Sequence, residues 1–171
     1  MPQQKRKLAA IMFTDIVGYT ESMSIDEQAA IQAVRKKRSI IQPLIKEHSG
    51  VFVKEIGDGT LSYFVSVIDA STCAVKLQTL TFDDKFLNIR IGIHVGDIVF
   101  DGEDVFGEGV NIASRLEELT KSYTSELVIS KYVAEQANLN LDGFDSDLVN
   151  IRGRKENLEI FSIKNASEIR Q

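Results

Sequence analysis

The hydrophobic pattern of the chain alternates between strand-like and helix-like stretches. Residues 8–13, LAAIMF, form a continuous apolar run that ends at Asp15, which favours a fully buried strand over an amphipathic one. Ser24, with acidic residues close behind it, marks a helix start, and Gly50 marks the end of that helix. Between them, apolar residues recur at helical spacing, namely Ile31, Val34, Ile41, Leu44 and Ile45.

The next segments predict a hairpin, a helix and a further strand. Residues 51–56 and 61–67 have strand character and flank Asp58-Gly59, a pair typical of a tight turn. A helix over 68–80 follows, and residues 88–100 then alternate between apolar and polar positions, as in a strand. The order strand, helix, strand, strand, helix, strand predicts an α+β fold with a ferredoxin-like βαββαβ core.

The remaining pattern predicts an appended α/β subdomain. It comprises a helix over 109–121, a short strand over 127–129, a helix over 131–137, and strands over 148–152 and 158–163. No internal repeat, low-complexity stretch or linker interrupts the pattern. We therefore expect residues 1–171 to form a single domain with a core from about 8 to 163.

Composition and charge limit the classes of partner. The 171 residues are 43% hydrophobic and 26% charged, which is ordinary for a globular chain of one domain. A net charge of -5 argues against a general nucleic-acid or anionic-membrane surface, because the long-range field would repel both. A phosphate-bearing ligand must therefore be held locally, by metal ions, backbone amides or a few cations.

The cysteine, the histidines and the N-terminus point to an ordinary cytoplasmic protein. The single Cys73 cannot form an intramolecular disulfide and lies in an apolar helical stretch, so we expect an inert buried thiol. His94 has no second histidine or cysteine nearby and is expected to be structural, while His48 ends a helix. The N-terminal segment imitates a signal peptide, but Asp15 interrupts its apolar run, and no stretch approaches the roughly 18 apolar residues of a membrane span.

Asp15 is the first candidate for chemistry. It stands at the end of the first predicted strand, where a carboxylate can bind a metal ion, and the backbone amides that follow can receive phosphate oxygens. Those amides belong to Val17, Gly18, Tyr19 and Thr20. Two alternatives stay open on this stretch alone: a helix-capping or turn aspartate, and a phosphoacceptor of the kind that response regulators carry at a strand end.

Asp58 strengthens the metal hypothesis. In the ferredoxin-like order the first strand and the hairpin lie side by side, so Asp15 and Asp58 can converge near free amides. Magnesium takes few protein ligands and leaves its other positions to substrate oxygens, so two carboxylates suit a metal–polyphosphate site. Asp58 as an ordinary turn residue remains the alternative.

Asn111 and Arg115 form a second candidate group, on one face of a predicted helix. The planar fork of arginine suits phosphate, and asparagine can orient a ribose. By spacing alone, an exposed face with Arg115 paired to Glu118 or Glu108 is the stronger interpretation. Asp104 lies in an acidic, glycine-rich segment that by composition is a surface loop.

Taken together, these stretches resemble the class III nucleotidyl cyclase catalytic domain, of the adenylate cyclase type, from about residue 8 to 163. The segments that carry the resemblance are FTDIVGYT (13–20), VKEIGDG (53–59), RIGIHVGDIV (90–99), DVFGEGVNIASRL (104–116) and IRGRKENLEIFSI (151–163). Each is modest alone, but five in the right order make a chance match improbable.

The resemblance implies roles for individual residues. Asp15, Asp58 and the carbonyl of Ile16 match the family's metal ligands, and two Mg²⁺ or Mn²⁺ ions per site are implied. The family's base-selecting pair is matched by Lys54 and Asp104, its ribose and transition-state pair by Asn111 and Arg115, and a phosphate-binding position, commonly lysine, by Arg152.

The resemblance further implies a substrate, a reaction and an assembly. Adenine presents one acceptor and one donor, which Lys54 and Asp104 complement, whereas guanine would be mismatched at a cost of roughly 1 to 3 kcal/mol. ATP is therefore the expected substrate, cyclised by attack of the ribose 3′-hydroxyl on the α-phosphorus with release of pyrophosphate. A head-to-tail homodimer with shared sites is implied, and the sequence identifies no regulator, which leaves a separate regulatory domain or protein open.

Three other functions share parts of this pattern. A catalytically silent cyclase-like domain would bind nucleotide or a partner without turnover, but all six matched positions are chemically suitable for catalysis. A diguanylate cyclase or polymerase-palm relative would share the core, but no GGDEF-like turn occurs at the hairpin. A phosphoacceptor domain would alternate single strands and helices, which the predicted hairpin over 51–67 contradicts.

Overall fold

The computed structural model describes residues 5–84, 87–152, 154–164 and 169. The first part contains β1 (Arg6–Ile16), α1 (Tyr19–Ile25), α2 (Glu27–Glu47), β2 (Gly50–Ile56), β3 (Gly59–Phe64), α3 (Val67–Thr81) and β4 (Ile89–Asp101). The second part contains β5 (Asp104–Phe106), α4 (Glu108–Tyr123), β6 (Leu127–Ser130), α5 (Lys131–Gln136), β7 (Asp145–Val149) and β8 (Leu158–Ile163).

Within the described residues the strands form one sheet in the order β2-β3-β1-β4-β6-β8-β7, and β5 pairs with β4. β1 is central and antiparallel to both β3 and β4. β6 pairs with β4 in parallel, which attaches the second part of the chain to the same sheet. The predicted α+β class and ferredoxin-like strand order are confirmed.

Both faces of the central strand are covered by helices. Along β1, Ala10 and Met12 pack in the larger core with residues of α2 and α3. Ala9 and Ile11 face the opposite side, where they pack with Val110 of α4. Successive residues of a strand point to opposite faces, so a strand buried on both faces must be apolar at every position. This explains the uninterrupted apolar run that begins the chain.

Two glycines of β4 let α4 lie directly on the sheet. A Cβ added to Gly92 would lie 2.3 Å from the backbone nitrogen of Glu117, and one added to Gly96 would lie 2.9 Å from the Cα of Gly109. No side chain fits in these contacts, so the strand and the helix backbones touch. The position of α4 relative to the end of β1 is therefore closely fixed.

The structure differs from the sequence predictions at the start of the first long helix. Ser24 lies inside a separate short helix, α1, and the long helix begins at Glu27. Its N-cap is Asp26, whose side chain accepts a hydrogen bond from the backbone N–H of Ala29 at 3.1 Å. The predicted helix start was two residues early because both residue types are good caps.

One short strand was not predicted, and another lies a few residues from its predicted position. The acidic segment containing Asp104 is not simply a loop, because residues 104–106 pair with the end of β4. The strand predicted at 148–152 lies at Asp145–Val149. Each runs beside a single neighbouring strand, and β7 is largely exposed, so neither has an alternating pattern to mark its limits.

Candidate active site

Asp15 and Asp58 meet where β1 ends beside the β2–β3 turn. The backbone N–H of Ile16 donates to Oδ2 of Asp58 at 2.9 Å, which ties the two segments together. Oδ1 of Asp15 is buried and has no hydrogen-bond partner among the described residues. Buried polar atoms are rarely left unpaired, and a bound cation would satisfy this oxygen. The end of β1 and the turn that carries Asp58 therefore lie side by side, as the strand order predicts.

Two further charged residues lie beneath this junction. Lys37 of α2 is only 1% exposed, and its Nζ donates to the main-chain carbonyl of Asp58 at 2.6 Å. Burial lowers the pKa of Lys37 to about 8, although the nearby carboxylates oppose that shift. Glu117 of α4 is also buried; burial, followed by the neighbouring carboxyl group of Asp15, raises its pKa well above the usual range.

Neither residue is among those predicted from the sequence, although both leave a signal in it. Lys37 falls in the apolar stripe of α2, between Ala33 and Ile41. Glu117 falls four residues after Ala113 in the buried stripe of α4. A charged residue at a core position of a helix needs a specific partner, because burying an unpaired charge is costly.

The donors at the junction fit a magnesium-like ion. Among the described residues no group of three or more His, Cys, Asp or Glu side chains is arranged to hold a metal. Asp15, Asp58 and the carbonyl of Ile16 nevertheless supply oxygen donors only. Mg²⁺ is commonly held by one or two carboxylates, with water and substrate phosphates completing its shell. The unpaired Oδ1 of Asp15 is the observation that makes this donor set suitable.

The segment predicted to receive phosphate oxygens, residues 17–20, is partly as expected. Gly18, in the left-handed region at φ 71°, precedes α1, and Ser22 N–H donates back to its carbonyl at 2.9 Å. The amides of Tyr19 and Thr20 therefore lie in the first helical turn, where intrahelical partners are lacking. The prediction that the Val17 amide is available was wrong, because Val17 N–H donates to the carbonyl of Asn88 at 2.8 Å.

Lys54 and Asp104 form an exposed pair that joins β2 to β5. Lys54 Nζ lies 3.0 Å from Oδ2 of Asp104, while Oδ1 of Asp104 accepts from Val105 N–H at 2.8 Å. The hydrogen bond from Lys54 is the main cause of the lowered pKa of Asp104. The ion-pair partner of Lys54 is thus Asp104 and not Asp58. A donor and an acceptor stand side by side at the surface.

Asn111 and Arg152 line one cleft of about 470 Å³, together with Arg154, which the sequence analysis did not select. Arg115 lies on the exposed side of α4, with Nη1 3.0 Å from Oε2 of Glu118, as the spacing had suggested. The structure therefore brings Asn111 and Arg152 together. Neither Asp15 nor Asp58 lines this cleft.

The histidine and the cysteine that were expected to be structural are both buried in the core. His94 is buried, with Nδ1 2.9 Å from the hydroxyl of Ser130, and burial lowers its pKa to about 4. Cys73 is fully buried, and burial raises the pKa of its thiol to about 12. The predictions for these two residues are confirmed. Among the described helices, none combines the length and the apolar character that a membrane crossing requires.

The chain is similar in sequence to cyclases. A sequence profile of the adenylate and guanylate cyclase catalytic domain matches residues 1–165. Putative adenylate cyclase 3 of Rhizobium meliloti (strain 1021) is 36% identical over 123 residues, which cover 67% of this chain and 21% of that protein. An adenylate cyclase of Anabaena cylindrica is 28% identical over 185 residues, which cover 90% of this chain and 36% of that protein. The chain thus spans only a minor part of these relatives.

Solved structures give the same family. The adenylate/guanylate cyclase/hydrolase from Silicibacter pomeroyi superposes with a TM-score of 0.80 at 28% identity, over 94% of this chain and 99% of that one. The guanylyl cyclase Cya2 shares the fold, with a TM-score of 0.78 at 22% identity over 95% of this chain and 94% of that one. Since the family profile covers most of its length, the chain belongs to the adenylate and guanylate cyclase catalytic domain family, the class III nucleotidyl cyclases.

Proposed function

We propose that this chain is an adenylate cyclase, which converts ATP to 3′,5′-cyclic AMP and pyrophosphate. The observation that carries the proposal is the junction of Asp15 and Asp58, with a buried carboxylate oxygen left unpaired. Two Mg²⁺ or Mn²⁺ ions would be held by these carboxylates and the carbonyl of Ile16. Bound divalent ions supply acidification of the ribose 3′-hydroxyl and neutralisation of the triphosphate.

The other residues of the proposed site bind and orient the nucleotide. Asn111 positions the ribose so that its 3′-oxygen faces the α-phosphorus, and the guanidinium of Arg115 meets the negative charge that builds on the pentavalent phosphorus. Arg115 must leave Glu118 to do so. That step costs little, because exposed ion pairs contribute at most about 1 kcal/mol. Arg152 and the first-turn amides of α1 take phosphate oxygens.

The pair formed by Lys54 and Asp104 supports ATP rather than GTP as substrate. In the pair Nζ and Oδ2 are 3.0 Å apart, so a donor and an acceptor are presented together. Lys54 can donate to N1 of adenine while Asp104 accepts from its 6-amino group. Guanine reverses the donor and acceptor at the corresponding positions and would leave both side chains mismatched, at a cost of roughly 1 to 3 kcal/mol.

A second copy of the chain completes the proposed site. Arg115 and Glu117 are two residues apart on α4, so their side chains point about 200° apart around the helix axis. Glu117 faces the sheet beside Asp15, whereas Arg115 is exposed on the far side. Arg115 of one copy therefore serves Asp15 of the other, in a head-to-tail homodimer with two equivalent sites.

The proposal is tested by incubating the purified chain with ATP and Mn²⁺ and measuring cyclic AMP and pyrophosphate. We expect equal amounts of the two products, and loss of both in Asp15→Asn and Asp58→Asn. Pyrophosphate without cyclic AMP would indicate a hydrolase. Nucleotide binding without any product would indicate a catalytically silent domain, and either result would overturn the proposal.

A further inference from the structure

We propose that Lys37 is a positioning residue that holds Asp58 in place for metal binding. The inference rests on the proposed function, since it concerns the same pair of aspartates. Lys37 acts through the main chain of Asp58, at the turn between β2 and β3.

Lys37 is buried and makes a specific hydrogen bond to Asp58. The side chain leaves α2 from the middle of its apolar stripe and is buried, with 1% of its surface exposed. Its Nζ donates to the carbonyl oxygen of Asp58 at 2.6 Å. Oδ2 of the same Asp58 accepts from Ile16 N–H at 2.9 Å. Asp58 is thus fixed from two sides, through its main chain by α2 and through its side chain by β1.

Burial of a lysine at this position requires a reason other than packing. An ammonium group loses its hydration when buried, and a leucine or methionine would fill a helix stripe without that cost. In the described part of the chain, the other buried acidic or basic side chains are His94 and Glu117, and Glu117 lies beside the second aspartate, Asp15. The buried titratable side chains that face the junction from α2 and α4 are therefore each next to one of the two aspartates.

A purely structural role for Lys37, as a tie between α2 and the hairpin, predicts a different behaviour. Such a tie would affect stability and leave the metal affinity of the folded protein unchanged. A purely electrostatic effect predicts tighter binding of a cation when Lys37 is removed, because a like charge is lost. Positioning predicts weaker binding in spite of the lost positive charge. Unchanged, tighter or weaker metal binding therefore distinguishes the structural, the electrostatic and the positioning role.

The experiment measures Mn²⁺ binding without nucleotide, from the electron paramagnetic resonance signal of free Mn²⁺. Lys37→Met keeps the side-chain volume and removes the donor. Lys36→Met is the matched control, since Lys36 is the exposed neighbour on α2 and pairs with Asp84. We expect Lys37→Met to raise the Mn²⁺ dissociation constant about tenfold or more, and Lys36→Met to leave it unchanged. A folded Lys37→Met with unchanged or tighter Mn²⁺ binding would overturn the inference.

A measurement on the unaltered protein covers the case in which Lys37→Met does not fold. The ammonium group of a buried lysine gives its own proton–nitrogen correlation in nuclear magnetic resonance spectra. We expect Mg²⁺ to shift the Lys37 ammonium signal with the same midpoint as the resonances of Asp58. A Lys37 signal that stays in place while Asp58 responds would refute the positioning role alone. If the unaltered chain binds neither ion, the proposed metal site and the positioning role both fail.

Discussion

Mixing two inactive variants tests the shared site. Asp15→Ala removes a proposed metal ligand at the end of β1, and Arg115→Ala removes the exposed cation of α4, so in the proposed dimer each variant alone has two damaged sites. In a mixed dimer, one site combines the intact Asp15 of one copy with the intact Arg115 of the other, while the second site carries both lesions. Random pairing makes half of the dimers mixed, each with one working site of two, so an equal mixture should recover about a quarter of wild-type activity.

The assay is cyclic AMP production at fixed total protein, after exchange of the two variants and with native mass spectrometry to count mixed dimers. A mixture of Asp15→Ala with Asp58→Ala is the matched control. Both lesions fall in the same half of the site, so every site of a mixed dimer remains damaged and no activity should return. If Asp15→Ala and Arg115→Ala form mixed dimers without any recovery, the shared-site reasoning is refuted.

Three further predictions concern stability and specificity. Buried His94 has a pKa near 4, whereas the unfolded residue titrates near 6.5. Lowering the pH from 7 to 4.5 should therefore reduce the free energy of unfolding of wild type by about 2 kcal/mol more than that of His94→Asn. Urea unfolding at the two pH values measures both losses, and equal losses would contradict the prediction. Lys54→Met should lower kcat/KM for ATP by about 10- to 200-fold and should lower kcat/KM for GTP by a smaller factor. Steady-state rates that fall equally for both nucleotides would contradict a role of Lys54 in recognising the base. Gly92→Ala should lower stability by about 1 to 3 kcal/mol, because the new Cβ would overlap the backbone of Glu117; an unchanged melting temperature would argue against that contact.

The order of strands and helices in the core was predictable because each of these elements leaves a local pattern in the sequence. The run of apolar residues in β1 and the alternation in β4 appear in the sequence as they do in the sheet. Elements without such a signal were missed or displaced. α1 has seven residues, none of them buried, and no side chain caps it. The limits of β5 and β7 depend on pairing with β4 and β8, which no local pattern shows.

The site was predictable where its residues stand at strand ends and turns, as Asp15 and Asp58 do. The site was not predictable where the role of a side chain depends on the residues that it contacts in the folded protein. Lys37 and Glu117 interrupt apolar stripes, and only the packing of α2 and α4 on the sheet reveals that they meet the two aspartates. The amide of Val17 is likewise bonded by a residue distant in sequence, which composition alone cannot indicate.

The central claim is that this chain makes cyclic AMP from ATP. Its most direct test supplies equal concentrations of ATP and GTP to the purified protein with Mn²⁺ and measures both cyclic products by mass spectrometry. The pairing of Lys54 with Asp104 predicts that cyclic AMP exceeds cyclic GMP about tenfold or more. Equal amounts, or an excess of cyclic GMP, would contradict the assignment as an adenylate cyclase, and the absence of both would contradict catalysis itself.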